Sequence, residues 1–172
     1  MKVIKLTRGL ETKVSNRDFA SLSRWKWQAI KSHSGKFYAV RNGLTKRNGK
    51  LGRHMIMMHR IIKNVEGLTA KIEVDHKNKD TLDNQRGNLR LCSHKENMRN
   101  MGKKKKINPK GSHPIYKGLL WDEKRKVWHV YCRDGKSKRY VGAFASSKDA
   151  AIAYNRYAKK YHGKFASLNP IT

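Results

Sequence analysis

The chain has 172 residues, and 41 Lys and Arg against 12 Asp and Glu leave it at +29. Such an excess attracts a polyanion, because neutralised phosphates release condensed counterions, so nucleic acid is the leading partner. The apolar runs are far too short to span a bilayer, and Met1-Lys-Val-Ile-Lys-Leu-Thr-Arg8 interleaves charges where a secretory signal has none. Only Cys92 and Cys132 are present, without the spacing of a disulfide framework or a zinc site, so a cytosolic protein with no membrane partner, held together by packing, is expected.

Residues 1–53 alternate short apolar stretches such as Phe37-Tyr-Ala-Val40 with Ser34-Gly35, Asn42-Gly43 and Asn48-Gly49 turns, which predicts β-hairpins. Trp25 and Trp27, two apart, share a face if they lie on one strand; they read as core anchors, with base stacking as the alternative. From His54 the stretch Met55-Ile-Met-Met-His-Arg-Ile-Ile62 suits either a strand or a short helix. Two β-like runs follow, Lys71-Ile-Glu-Val-Asp-His76 and Asn88-Leu-Arg-Leu-Cys92, separated by a polar loop with Asn78, Asp80, Asp83, Asn84 and Gly87. Ser93 and Glu96 have the spacing of a capping box for a helix reaching Asn100. The segment 54–100 therefore runs strand, loop, strand, helix.

Residues 101–114 carry Lys103, Lys104, Lys105 and Lys106 together with Pro and Gly, the composition of a basic linker able to follow a phosphate backbone. Residues 115–172 give three strand-like runs, Tyr116-Lys-Gly-Leu-Leu-Trp121, Val127-Trp-His-Val-Tyr-Cys132 and Lys138-Arg-Tyr-Val-Gly-Ala-Phe144. A helix comes next, capped by Ser146 or Ser147, striped by Ala150, Ala151, Ala153, Tyr154, Tyr157, Ala158 and Tyr161, and stopped by Gly163. Alternation puts Val127, His129 and Tyr131 on one face of the middle strand and Trp128 and Val130 on the other, with Trp128 read as core. The fold class is α+β.

The densest chemistry lies at Asp75-His76 with Asn88 and Asn97. Hydrolysing a phosphodiester needs a base for water and positive charge for the oxygens that gain negative charge. Asp75 is a hard oxygen ligand suited to Mg²⁺ or Mn²⁺, an Asn oxygen can complete a site that keeps several waters, and His76 can be the base. Adjacent strand residues point to opposite faces, so this chemistry requires the strand to end or bulge at His76.

Val74-Asp-His76, Asn88-Leu-Arg90 and the helix to Asn97 resemble the ββα-metal motif of HNH endonucleases, particularly phage and intron-encoded homing enzymes. The resemblance implies that His76 activates water, that Asp75 and Asn97 hold one divalent ion, and that Asn88 shapes the loop. His94, one turn before Asn97, is a rival ligand, and His59 supports the fold rather than reacting. A second resemblance covers the C-terminal segment: Tyr116-Lys-Gly-Leu-Leu120, Trp128, Val141-Gly-Ala-Phe144, Ala150-Ala-Ile-Ala-Tyr154 and Gly163-Lys-Phe-Ala-Ser-Leu-Asn169 are similar to the AP2 DNA-binding domain, in which a three-stranded sheet enters the major groove. Its matching strands offer Lys117, Trp121, Arg125, Lys126, His129, Tyr131, Lys138, Arg139 and Tyr140 as DNA contacts, with Arg90 as a phosphate contact in the nuclease segment.

The expectation is a homing-type endonuclease acting on double-stranded DNA in a host cytoplasm, with no small-molecule substrate. A monomer is expected; one site per chain would nick, whereas a dimer could cut both strands. The rival is a non-catalytic AP2-type regulator, and a third possibility is an RNA-binding accessory protein.

Overall fold

The computed structural model describes residues 1–47, 50–67, 72–102, 115–134 and 137–171. The chain divides into two compact units, Met1–His94 and Lys95–Thr172.

In the first unit β1 (Lys2–Lys5) and β2 (Glu11–Val14) pair antiparallel around a tight turn in which Arg8 and Gly9 both adopt φ 65°. A short helix absent from the sequence-based expectation, α1 (Asn16–Leu22), comes next. β3 (Gln28–Lys31), β4 (Phe37–Arg47) and β5 (Lys50–Met57) then form an antiparallel meander in that order. The ambiguous stretch from Met55 resolves into both alternatives: β5 ends at Met57 and α2 (Met58–Ile62) starts at the next residue. Trp25 and Trp27 do not share a strand face. Trp27 is buried and donates its indole N–H to the Leu22 carbonyl at 2.8 Å, whereas Trp25 lies in a bend and is 52 % exposed, so only Trp27 anchors the core.

β6 (Glu73–His76) and β8 (Leu89–Cys92) form an antiparallel pair, in register Asp75 to Arg90 and His76 to Leu89. Inside their connecting loop, β7 (Asp83–Asn84) adds parallel to β2, through Lys13 with Asp83 and Val14 with Asn84. One apolar core gathers Ile4, Val14, Trp27, Met58, Ile62, Val74 and Leu89, drawing on strands from both halves of the unit. Helix α3 (His94–Asn100) follows β8 directly; its first residue closes the first unit and the rest counts with the second.

The second unit is an antiparallel meander of β9 (Leu119–Asp122), β10 (Val127–Asp134) and β11 (Ser137–Phe144), with α4 (Ser147–His162) packed on β10 and β11. Ser146 caps α4 as its position suggests, accepting from the backbone N–H of Lys148 and Asp149, and Gly163 ends it at φ 52°. Ala150, Ala151 and Ala158 are fully buried, and their small side chains let the helix lie close to Leu119, Val130 and Cys132. Gly118 enters the sheet at φ 85°, where a Cβ would collide with the Tyr131 carbonyl and the Tyr154 ring. Among the described residues no helix is long and apolar enough to cross a membrane. The basic run from Lys103 to Lys106 lies outside the described residues.

Candidate active site and nucleic-acid face

His76 is the last residue of β6, so the strand ends where the chemistry requires it to. Its Nε2 lies 3.2 Å from Asn84 Oδ1, Asn84 Nδ2 donates to Thr12 Oγ1 at 2.8 Å, and Thr12 Oγ1 donates to the Leu82 carbonyl at 2.7 Å. This relay has one consistent direction. The carbonyl can only accept, so the Thr12 proton goes to it and Thr12 accepts from the Asn84 NH₂. Asn84 therefore presents its oxygen to His76, which makes Nε2 the N–H and puts the lone pair on Nδ1. Thr12 and Asn84 are completely buried, so the relay works in a poorly screened environment.

Burial lowers the pKa of His76, against smaller raising effects from the Asn84 hydrogen bond and from Asp75, Asp80 and Asp83. The imidazole is thus neutral, as a proton acceptor must be. The His59 ring meets it edge-on at 5.2 Å between centroids, and Tyr38 completes an aromatic wall 5.8 Å from His59 and 6.3 Å from His76. Burial pushes His59 down to about 3, so it stays uncharged beside His76. Burial followed by the Asp75 charge raises the Tyr38 phenol.

Asp75 is buried and receives both Nε and Nη2 of Arg90 on Oδ2, at 2.8 and 2.6 Å. The Arg90 guanidinium thus pairs with Asp75, its partner in the β6–β8 register. Asn88 closes the loop: its Oδ1 accepts from Asn78 N–H at 3.1 Å and its Nδ2 donates to the Asp83 carbonyl at 2.7 Å. The same loop is tied to the rest of the unit by Thr81 Oγ1 to the Phe37 carbonyl at 2.5 Å, by Arg86 on both oxygens of Asp18 at 2.9 Å, and by Arg86 N–H to Ser15 Oγ at 2.9 Å. His94 pairs with Glu73 at 2.7 Å. Asn97 is half-buried on α3 within the second unit.

Among the described residues no three His, Cys, Asp or Glu side chains gather into a metal cage. Asp75 taken alone is a buried carboxylate, a hard oxygen donor of the type Mg²⁺ accepts while keeping most of its water.

Residues 57–99 match the family model of HNH endonucleases. The match runs from the last residue of β5 through α2, the β6–β8 pair and most of α3, and it supports an HNH nuclease acting on DNA. No solved structure matches the chain.

In the second unit, the register of β10 with β11 sorts the sequence-derived contacts onto two faces. Tyr131 pairs with Tyr140 and Arg133 with Lys138, while Cys132, buried against α4, pairs with Arg139. Tyr131 and Tyr140 lie 5.4 Å apart, the Lys138 ammonium sits 3.7 Å from the Tyr131 ring centre, and His129 bridges Tyr140 OH and Asp122 Oδ2, each at 3.2 Å. This is an open aromatic and basic cluster on the side away from the helix. Arg139 falls on the helix side, because 138 and 140 occupy the other face. Trp121 leans on Trp128 at 5.0 Å and donates to Glu123 at 2.5 Å; Arg125 and Lys126 are exposed in the β9–β10 turn, where Lys126 pairs with Glu123. Lys117 precedes β9, and its ammonium donates to the Met101 carbonyl at 2.6 Å.

Three residues of these sites escape sequence reasoning. Asn84 stands out only as one of several polar loop residues, and Thr12 carries no signal at all. Arg133 is exposed on the cluster's face, and continuing the alternation from 129 and 131 reaches it.

Proposed function

We propose that the chain is a homing-type DNA endonuclease in which Nδ1 of His76 takes the proton from the water that attacks the scissile phosphate. The observation that carries this reading is the Asn84 relay, which holds a buried neutral imidazole in the tautomer that leaves a basic nitrogen on Nδ1. Asp75 and Asn97 would hold a divalent cation, Mg²⁺ or Mn²⁺. Such an ion offsets the charge that builds on the phosphate and on the leaving oxygen. Arg90 orients Asp75 and balances its charge, Asn88 holds the loop that carries Asn84, and His59 with Tyr38 walls the imidazole against water.

The second unit, read as an AP2-like module, supplies affinity and register through His129, Tyr131, Arg133, Lys138 and Tyr140. Aromatic rings interleaved with cations match a surface that meets bases and phosphates, and lysines at least as frequent as arginines weight it toward the backbone. Double-stranded DNA is the substrate, and a monomer with one site cuts one strand per binding event.

The test is supercoiled plasmid incubated with wild-type protein and with His76→Ala, each with Mg²⁺ and with chelator. Nicked or linear product from wild type with metal alone is the expected result, with duplex binding kept in the variant. If neither protein cuts while both retard duplex DNA, the chain is a non-catalytic regulator.

A further inference from the structure

Helix α3 closes the nuclease motif, yet from Lys95 onward it belongs to the second unit. Lys95 and Arg99 lie one turn apart on one face, and both reach the same carboxylate, Asp134 at the end of β10. Arg99 brings Nε and Nη2 to Asp134 Oδ1 at 3.2 and 2.5 Å, and Lys95 Nζ stands 3.4 Å from that oxygen. The Arg99 side chain is only 18 % exposed, which sets this contact apart from a loose surface pair. The Arg99 hydrogen bond holds the Asp134 carboxyl below its ordinary range, so it stays charged. A second anchor grips the end of the helix. Asn100 is buried, and Lys117 donates its ammonium to the Met101 carbonyl at 2.6 Å. The Lys117 backbone is itself clasped by Asn169, whose Oδ1 accepts its N–H at 2.7 Å and whose Nδ2 donates to its carbonyl at 3.2 Å. At 3.6 residues per turn Asn97 sits about 160–200° around the helix from Lys95 and Arg99, on the opposite face.

Asp134 is out of place in its hairpin by charge alone. Residues 125–147 contain six Lys and Arg and a single acid. Arg133 and Lys138, opposite each other in the register beside it, belong to the face read as meeting DNA, where a carboxylate repels phosphate. Its grip on α3 accounts for an acid there. We infer that Asp134 is a positioning residue for cleavage, which fixes the rotation of α3 through Arg99 and Lys95 and so presents Asn97 to the divalent cation. The inference rests on the endonuclease reading, in which Asn97 is a metal ligand, and deepens it. The hairpin that meets DNA then also holds a ligand of the reaction, and the C-terminal module is part of the catalytic apparatus rather than a tether alone.

The experiment follows nicking of supercoiled plasmid against Mg²⁺ concentration by full-length wild type, Asp134→Ala and Asp134→Glu. Duplex binding in chelator and amide hydrogen exchange of residues 95–100 in the metal-free proteins are measured alongside. In Asp134→Ala the half-saturating Mg²⁺ should rise about tenfold, the low end of what a metal ligand loses with its support. The rate at saturating Mg²⁺ should return to that of wild type, and the α3 amides should exchange faster. Asp134→Glu, which keeps a carboxylate near both cations, should lie close to wild type. Duplex affinity should hold or rise in both, whereas a merely structural Asp134 would lower affinity and rate together and leave the Mg²⁺ midpoint in place. If Asp134→Ala melts early, Arg99→Gln removes the pair from the helix side and is read in the same way. A wild-type Mg²⁺ midpoint in these variants would overturn the positioning role and leave the nuclease reading intact. A wild-type protein that does not nick in Mg²⁺ would overturn both.

Discussion

Replacing Asn84 by alanine removes the acceptor 3.2 Å from His76 Nε2 and the donor 2.8 Å from Thr12 Oγ1. Neutral His76 then loses a hydrogen bond worth about 1 kcal/mol, while protonated His76 loses a charge-assisted one worth about 1.5–3 kcal/mol. The difference, about 1 kcal/mol or more, lowers the imidazole pKa by roughly one unit. It adds to the lowering that burial already imposes, since the Asn84 hydrogen bond acts in the raising direction. The sign is therefore fixed: the base stays deprotonated to lower pH, and the acid limb of the cleavage rate moves down. The plateau falls at the same time, because the ring is no longer held in one tautomer. Stability drops by about 2–4 kcal/mol, from two missing hydrogen bonds and a stranded N–H. Plasmid nicking between about pH 5 and 8, paired with a proton NMR titration of the His76 ring and a thermal melt, separates these effects. An acid limb that stays in place or moves up, with His76 titrating as in the wild type, would refute the relay. A lower plateau alone would reveal nothing but partial unfolding.

Other expectations follow from the same geometry. Arg90→Ala strips buried Asp75 of its bidentate partner and should cost about 3 kcal/mol, with much of it recovered in Asp75→Asn/Arg90→Gln; equal melting of the two variants would count against the pair. His59 and His76 are both depressed by burial, so the unfolded chain binds more protons than the folded one below about pH 6.5, and stability declines as pH falls. Between pH 6.5 and 5 His59 alone contributes about 2 kcal/mol of that loss; a melting temperature unchanged over this interval would show that His59 is not buried neutral. Arg133→Ala should weaken duplex binding and flatten its salt dependence, while Arg139→Ala, on the helix side, should do so much less. Equal effects would mean that the sheet face does not choose between them.

The elements legible in the sequence are those with a local signal. Helix α4 announces itself through its serine cap, its alanine stripe and the glycine after it, and the β6–β8 pair through two apolar runs around a polar loop. Helix α1 escapes because Asn16-Arg-Asp-Phe-Ala-Ser-Leu22 is too short to show a period, and it forms because Leu22 is buried and Arg86 reaches Asp18 from far along the chain. The residues Asp75 and His76 are visible as an adjacent pair. The company they keep is not, since Thr12 and Asn84 are 72 residues apart and nothing local in either marks a hydrogen bond between them. The pairing of Arg90 with Asp75 is hidden for a related reason: a basic residue in a basic chain suggests phosphate, and only the strand register reveals a carboxylate opposite.

The parallel addition of β7 to β2 has a consequence for modularity. The segment from residue 57 to 99 carries the motif by which HNH nucleases are recognised, yet the relay that orients its histidine ends on Thr12, in the second strand of the chain. Cut out and grafted elsewhere, the ββα segment would keep Asp75, His76 and Asn97 and lose the Thr12 hydroxyl that fixes which way the Asn84 amide faces the His76 ring. The motif is therefore a cassette only in sequence. As a working part it includes the strand lying against its loop, and any scaffold that borrows it must supply a buried hydroxyl at that place.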